Sequence, residues 1–368
     1  MIAGSIGIVV WIGFLFVLSQ MIDVYHVEVV AGIRRYRMNW SFVLFAIVPF
    51  ILMVTFRSIW IGDTAVYIKG YLNDMPSSFS QFGAYYASLS KDKLFYVVGA
   101  LFHILFGDSY RFWLGAMAIV QIGTLFAVYR KYSSNVLFSF FLFIASTDYI
   151  SWCYNGIRQF TAVTFCFLAA YFIIEKKYVW AVLIVLFGSL FHQSALIVLP
   201  CIFIVQGDAF NSKTLLVIGA TLVALLFVSQ FTTFLDSALE DTQYQNVVTD
   251  YTTGVIGEDD GTHPLRVLVY AMPTILAFIG RRRIQWKNDR LMNVCVNMSI
   301  ISTGIYLISM VTSGIFIGRL PIYFSLYNYI LLPWQIDFLF TKKSSYVIKF
   351  CTIGFYLIFY LVSILGIV

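Results

Sequence analysis

Apolar runs of about 18 to 20 residues recur from one end of this 368-residue chain to the other, the length a helix needs to cross hydrocarbon. Only 11% of the residues are charged, less than half of the roughly 25% that a soluble domain carries, so a water-facing surface cannot be assembled from them. The mean hydropathy of +0.85 is what a chain largely immersed in lipid would have. A membrane β-barrel would alternate lumen-facing and lipid-facing residues, and stretches such as 215–228 do not alternate. The fold class is therefore all-α, a polytopic transmembrane helical bundle.

The basic residues orient this bundle. Six clusters fall between apolar runs: Arg34-Arg35-Tyr36-Arg37, Arg130-Lys131, Lys176-Lys177, Lys213, Arg281-Arg282-Arg283 with Lys287 and Arg290, and Lys342-Lys343 with Lys349. The positive-inside rule assigns all six to the cytoplasm. A consistent path starts with the N-terminus outside. It predicts spans near 2–20, 40–57, 111–129, 135–150, 158–174, 179–191, 195–206, 214–232, 265–280, 291–311, 320–339 and 346–367, about 12 in all. Residues 94–106 form an apolar stretch of only about 13, short for a crossing. A crossing there would swap every later loop and turn Arg281, Arg282 and Arg283 outward. A re-entrant or interfacial helix on the outer face is expected instead.

With this topology the outer face owns two large loops, near 57–110 and 233–264. The second is acidic, with Asp236, Glu240, Asp241, Asp250, Glu258, Asp259 and Asp260, and its Gly254, Gly257 and Gly261 suit a flexible lid. No repeat, low-complexity tract or soluble domain is evident, so residues 1–368 read as a single integral membrane domain. No basic residue precedes the first apolar stretch, so it does not read as a secretory leader. The five cysteines are scattered and read as small core residues. Four dispersed histidines, with no HxxxH or DxD at an interface, give a metal little support, and no Walker or dinucleotide glycine motif appears. No cofactor is expected, and nothing points to nucleic acid.

The outward-facing arginines are more informative. Arg158 lies in Asn155-Gly156-Ile157-Arg158-Gln159, where a span begins from the outer side; Arg266 follows His263-Pro264, and Arg319 precedes Leu320-Pro321. A helix N-terminus carries partial positive charge, so a basic residue there is locally unfavourable unless an anion compensates. Free backbone N–H groups together with guanidinium forks suit a phosphate. Each arginine taken alone could equally snorkel to water or meet a lipid headgroup; three together favour a shared anionic ligand.

Two further candidates lie on the same side. Arg57 ends a span, and Asp63 follows in Gly62-Asp63-Thr64. Asp63 either caps the next helix and pairs with Arg57, or faces an outer cavity where its carboxylate orients or deprotonates a hydroxyl. His192, in Phe191-His192-Gln193-Ser194, is a general base, a hydrogen-bond anchor for its turn, or an incidental interfacial residue.

Arg57…Gly62-Asp63…Tyr67, Asn155-Gly156-Ile157-Arg158-Gln159, Phe191-His192-Gln193-Ser194-Ala195-Leu196…Leu199-Pro200 and the later Arg319 resemble, in order and spacing, the EpsG family of Wzy-like polysaccharide polymerases. Members often carry an acidic residue, usually Glu, before the next apolar helix; here the text reads Lys91-Asp92-Lys93-Leu94. The resemblance implies a multi-pass enzyme of the bacterial inner membrane, a glycosyltransferase that joins oligosaccharide repeat units linked to undecaprenyl pyrophosphate. It implies that this lipid-linked oligosaccharide is bound at the periplasmic or outer face, in contact with membrane lipids, with a separate chain-length regulator and a flippase as partners. On this reading Arg57, Arg158, Arg266 and Arg319 bind the pyrophosphate, Arg158 and Arg319 stabilise it as it leaves, and Asp63 or His192 handles the attacking hydroxyl. The product would be O-antigen, capsule or exopolysaccharide. The alternative is a flippase for the same substrate, which would place its charges along a central cavity between repeated halves. An acyltransferase lacks a paired acid–histidine motif here, and a purely structural partner leaves the arginines without a role.

Overall fold

The computed structural model describes residues 2–30, 33–238 and 261–366. Among the described residues the chain is helical apart from one antiparallel hairpin. It packs as two compact units, the first comprising Met1–Leu199 with Gly354–Ile364 and the second Pro200–Ile353 with Leu365–Val368.

The first unit opens with α1 (Ile2–Met21) and the hairpin β1 (Tyr25–Val30) and β2 (Ile33–Met38), whose register sets His26 opposite Arg37 and Glu28 opposite Arg35. Then follow α2 (Trp40–Thr55), α3 (Thr64–Asp74), α4 (Phe79–Ser88), α5 (Lys93–Phe106), α6 (Tyr110–Tyr132), α7 (Val136–Ala145), α8 (Asp148–Cys153), α9 (Ile157–Leu168), α10 (Ala170–Ile174), α11 (Tyr178–Ser189) and a 3-10 turn, Gln193–Ile197. The central helix is α6, which packs against α2, α5, α7 and α9. Close approach to α2 depends on Gly115, where a Cβ would come within 3.2 Å of the Thr55 hydroxyl. The start of α7 is set by Asn135, whose side chain accepts from the Phe138 N–H at 3.0 Å.

The second unit takes up the chain in α12 (Val198–Ile204) and continues through α13 (Ser212–Leu226), α14 (Val228–Ala238), α15 (Pro264–Ile279), α16 (Arg281–Lys287), α17 (Arg290–Met310), a 3-10 turn (Ile317–Arg319), α18 (Ile322–Ser325), α19 (Asn328–Leu339) and the first part of α20 (Lys342–Ile364), whose residues from Gly354 on belong to the first unit. Its core helix is α17, packed against α13, α15, α18 and α19. Buried amides join these helices where no water is at hand. Asn297 donates to the carbonyls of Val205 and Asp208 at 3.1 Å, Asn328 to that of Tyr270 at 3.1 Å, and Gln335 to that of Pro273 at 2.8 Å.

Among the described residues four helices are long and apolar enough to cross a membrane, Tyr110–Tyr132, Ile157–Ile174, Arg290–Met310 and Lys342–Ile364, and up to six if each of two bent pairs is one span. They differ in surroundings. The apolar window of Arg290–Met310 is 72% buried and that of Lys342–Ile364 only 17%, so the first is a core helix and the second presents its apolar surface outward, as lipid contact requires. This is a membrane protein.

Helices lie along the expected spans and residues 94–106 form α5, but among the described residues only four to six of these helices have the length of a crossing, against the twelve expected. Three expectations need correction. The run 214–232 is not straight: α13 and α14 meet at 105°, because Phe227 leaves the helical region (φ −125°, ψ 54°). The run 135–150 is broken between α7 and α8 at Ser146 and Thr147, the latter left-handed with φ 68°. The basic run expected as a plain loop at 34–37 is strand β2. Most of the acidic loop expected at 233–264 lies outside the described residues, which resume at Gly261.

Candidate functional site

In the first unit two distant motifs fold onto one another. Gly62 has φ 53°, and a Cβ on it would overlap the Asn155 side chain, so both the turn and the close approach require glycine. With that space free, the Asp63 N–H donates to Asn155 Oδ1 at 3.2 Å and the Tyr67 hydroxyl donates to the Asn155 carbonyl at 3.0 Å. Burial pushes the Tyr67 phenol above its usual range, which keeps it protonated and donating. From the other side, Gln121 of α6 donates to the Ile157 carbonyl at 3.1 Å and to the Thr161 hydroxyl at 2.9 Å, holding the first turn of α9.

Arg158, in that first turn, is the hub. Its Nη1 donates to Asp92 Oδ2 at 2.9 Å and to the Tyr96 hydroxyl at 3.0 Å, and its guanidinium lies 5.6 Å from the centre of the Tyr96 ring. Asp92 is buried and left-handed (φ 50°), a conformation that Asp tolerates better than most residues and that sets its carboxylate at the entry to α5. Asp92 is thus the acidic residue that stands before α5 and answers Arg158. The pair turns an arginine at a helix start, unfavourable alone, into a compensated one.

Beside this hub lies a cavity of about 560 Å³, lined by Asp63, Val66, Tyr67, Lys69, Gly70, Asp74, Met75, Tyr85, Phe95, Tyr96, Trp113 and Arg158. That volume falls within the range of small-molecule sites. Its wall is built by Asp63 and α3, where 63, 67, 70 and 74 recur at helical spacing, together with Tyr85 of α4, α5 and the starts of α6 and α9. The Tyr85 phenol is pushed up to about 12, first by burial and then by the neighbouring Tyr96 and Asp74. The Asp63 carboxylate neither caps α3 nor pairs with Arg57, and has no partner among the described residues; the capping and pairing that local spacing favoured are absent.

Arg57 is 8% exposed. Its Nη1 donates to the Cys153 carbonyl at 2.6 Å and its guanidinium lies 5.5 Å from the centre of the Tyr154 ring, while Nε and Nη2 have no acceptor among the described residues. No carboxylate answers its charge among the described residues. His192 caps its 3-10 turn, with Nδ1 2.7 Å from the Ser194 hydroxyl; it is not part of the cavity wall.

The second unit holds the other two arginines in neighbouring segments. Arg266 stands in the first turn of α15 after Pro264, and Arg319 ends the 3-10 turn Ile317–Arg319 rather than opening a longer helix. Thr262, just before α15, is tied to α17: its N–H donates to the Ser309 carbonyl at 3.0 Å and its hydroxyl lies 2.8 Å from that of Ser309. Gly314 and Gly318 leave the room: a Cβ at either would come within 2.8 Å of Gly261 or Thr262. No group of three or more His, Cys, Asp or Glu that could hold a metal occurs among the described residues.

Local motifs pointed to Arg158, Asp63 and Arg57, but left Asp92 and Tyr67 without assigned roles and missed Tyr96, Lys69, Asp74, Tyr85 and Trp113. The helical spacing of 63, 67, 70 and 74 was the available signal. The pairing of Arg158 with a residue 66 positions earlier had none.

Comparison with known proteins adds one finding. A model of the EpsG family matches residues 40–367, nearly the whole chain. No curated protein and no solved structure matches it.

Proposed function

Because the chain belongs to the EpsG family, whose members are Wzy-type polymerases, we propose that this membrane polysaccharide polymerase joins oligosaccharide repeat units carried on undecaprenyl pyrophosphate. The proposed setting is the outer face of a bacterial inner membrane, reached by a single membrane domain of about 12 spans with α5 lying at that face. A flippase that delivers the units and a chain-length regulator are the proposed partners.

The reaction proposed is a displacement at the anomeric carbon of the donor's reducing-end sugar. A hydroxyl on the acceptor's non-reducing end attacks, the new glycosidic C–O bond forms, and the bond from the anomeric carbon to the pyrophosphate oxygen breaks. The electron pair leaves with undecaprenyl pyrophosphate, and the hydroxyl proton passes to a base. Asp63 supports the base role best, since its carboxylate is unpartnered and lines the cavity, whereas His192 spends Nδ1 on its own turn. Arg57, a buried guanidinium with unused donors, is the strongest candidate to meet the pyrophosphate, with Arg266 and Arg319 the others, while Arg158, committed to Asp92, holds the cavity wall.

The observation that carries this reading is the Arg158 hub, where motifs from three parts of the chain converge beside an open cavity. The test is to delete the gene, extract the lipid-linked intermediates and complement with Arg158→Ala. Single repeat units accumulating on the outer face, with polymer lost and not restored by the variant, support the reading. Units trapped on the cytoplasmic face would instead indicate a flippase, and polymer of normal length and yield from Arg158→Ala would remove the residue from the mechanism.

A further inference from the structure

The arginine in the cavity wall conceals the cavity's true charge balance. Arg158 is answered by Asp92 at 2.9 Å, so the pair contributes no net charge. What remains on the wall is two carboxylates, Asp63 and Asp74, against one ammonium, Lys69, and none of the three has an ion-pair partner among the described residues. A pyrophosphate placed there would meet a wall of its own sign with no uncommitted guanidinium to offset it.

The rest of the wall suits another ligand. Tyr67, Tyr85 and Tyr96 present phenols and ring faces. Trp113, fully buried where it meets the cavity, has an indole N–H with no acceptor among the described residues, beside Gly99 and the Met75 side chain. Uncommitted carboxylate and ammonium groups on one wall take the vicinal hydroxyls of a pyranose, while flat rings take its apolar C–H face.

We propose that this cavity binds the non-reducing-end sugar of the acceptor repeat unit, and that it selects a neutral or amino sugar there over a uronic acid. The inference rests on the polymerase reading and divides the substrate within it: the acceptor saccharide enters the cavity, and the pyrophosphate of the donor binds elsewhere. A uronic acid would bring a third carboxylate against Asp63 and Asp74, whereas an amino sugar would pair with them. Asp63 then lies beside the hydroxyl it is proposed to deprotonate.

The test uses the full-length protein in lipid nanodiscs and, as probe, the repeat-unit oligosaccharide freed from its lipid by mild acid from cells lacking the gene. Saturation-transfer NMR is expected to show saturable binding that millimolar inorganic pyrophosphate does not displace. Asp74→Ala and Tyr85→Ala are each expected to weaken it roughly tenfold, the loss of one charge-assisted hydrogen bond or one ring contact. Sugar analysis is expected to find no uronic acid at the non-reducing end. Displacement by pyrophosphate, no binding of the lipid-free saccharide, unchanged affinity in both variants, or a terminal uronic acid would each overturn the proposal. Competition and sugar analysis need no variant, so a misfolded one leaves the result decisive. If cells lacking the gene accumulate no lipid-linked units, the polymerase reading itself has failed; if they do and the saccharide does not bind, only this inference has.

Discussion

At the scale of single residues, the account turns on what Arg158 is bonded to. Its partner Asp92 is 5% exposed on its side chain and Arg158 itself 28%, a pair between the surface and buried limits. Removing one member leaves the other uncompensated, so Asp92→Asn and Arg158→Ala are each expected to cost about 1–3 kcal/mol of stability. The double variant is expected to cost less than the sum, and a thermal-unfolding cycle measures that coupling; strict additivity would show the pair to be energetically idle. The proton acceptor is decided separately. Asp63→Asn is expected to slow polymerisation by about 10²–10⁴-fold while His192→Ala, which loses a turn contact, retains most of the rate. The reverse pattern would move the base to His192. Arg158 and Asp63 were legible because each stands in a compact local motif. Asp92 became meaningful only once a left-handed backbone aimed it across 66 positions at Arg158, a relation that no local spacing encodes.

At the scale of elements, helices were legible and their bends were not. Apolar runs of spanning length mark where helices lie, and α1, α2, α6, α11 and α17 follow them closely. The break at Thr147 and the turn at Phe227 have no proline or glycine to announce them, so packing around the helices decides where they bend. The hairpin β1–β2 was hidden because the arginines of β2 read as a basic connection between two apolar runs. The turn between α2 and α3 is the element on which the site depends. Gly62→Ala adds a side chain at φ 53° and into Asn155, and is expected to cost about 1–3 kcal/mol and undock α3 from the start of α9. Polymer yield and protease sensitivity of the 57–74 segment measure this; a fully active, protease-resistant variant would show that the docking is dispensable.

At the scale of the whole molecule, the orientation in the membrane comes from charge alone, and it can be read directly. Trp60 is 88% exposed on the side assigned outward, and Lys176 is exposed in a loop assigned to the cytoplasm. In a Cys351→Ser background, where the remaining cysteines are buried, Trp60→Cys is expected to react with a membrane-impermeant thiol reagent in intact cells. Lys176→Cys is expected to react only after permeabilisation, and the opposite pattern would invert the topology and place the cavity in the cytoplasm.

The most direct test of the polymerase itself is reconstitution. The purified protein in liposomes, supplied with lipid-linked repeat units and nothing else, is expected to yield a ladder of longer lipid-linked oligosaccharides and one released undecaprenyl pyrophosphate per bond formed. The Asp63→Asn protein is expected to yield neither at a comparable rate. Repeat units moved across the bilayer without any increase in length would contradict the account.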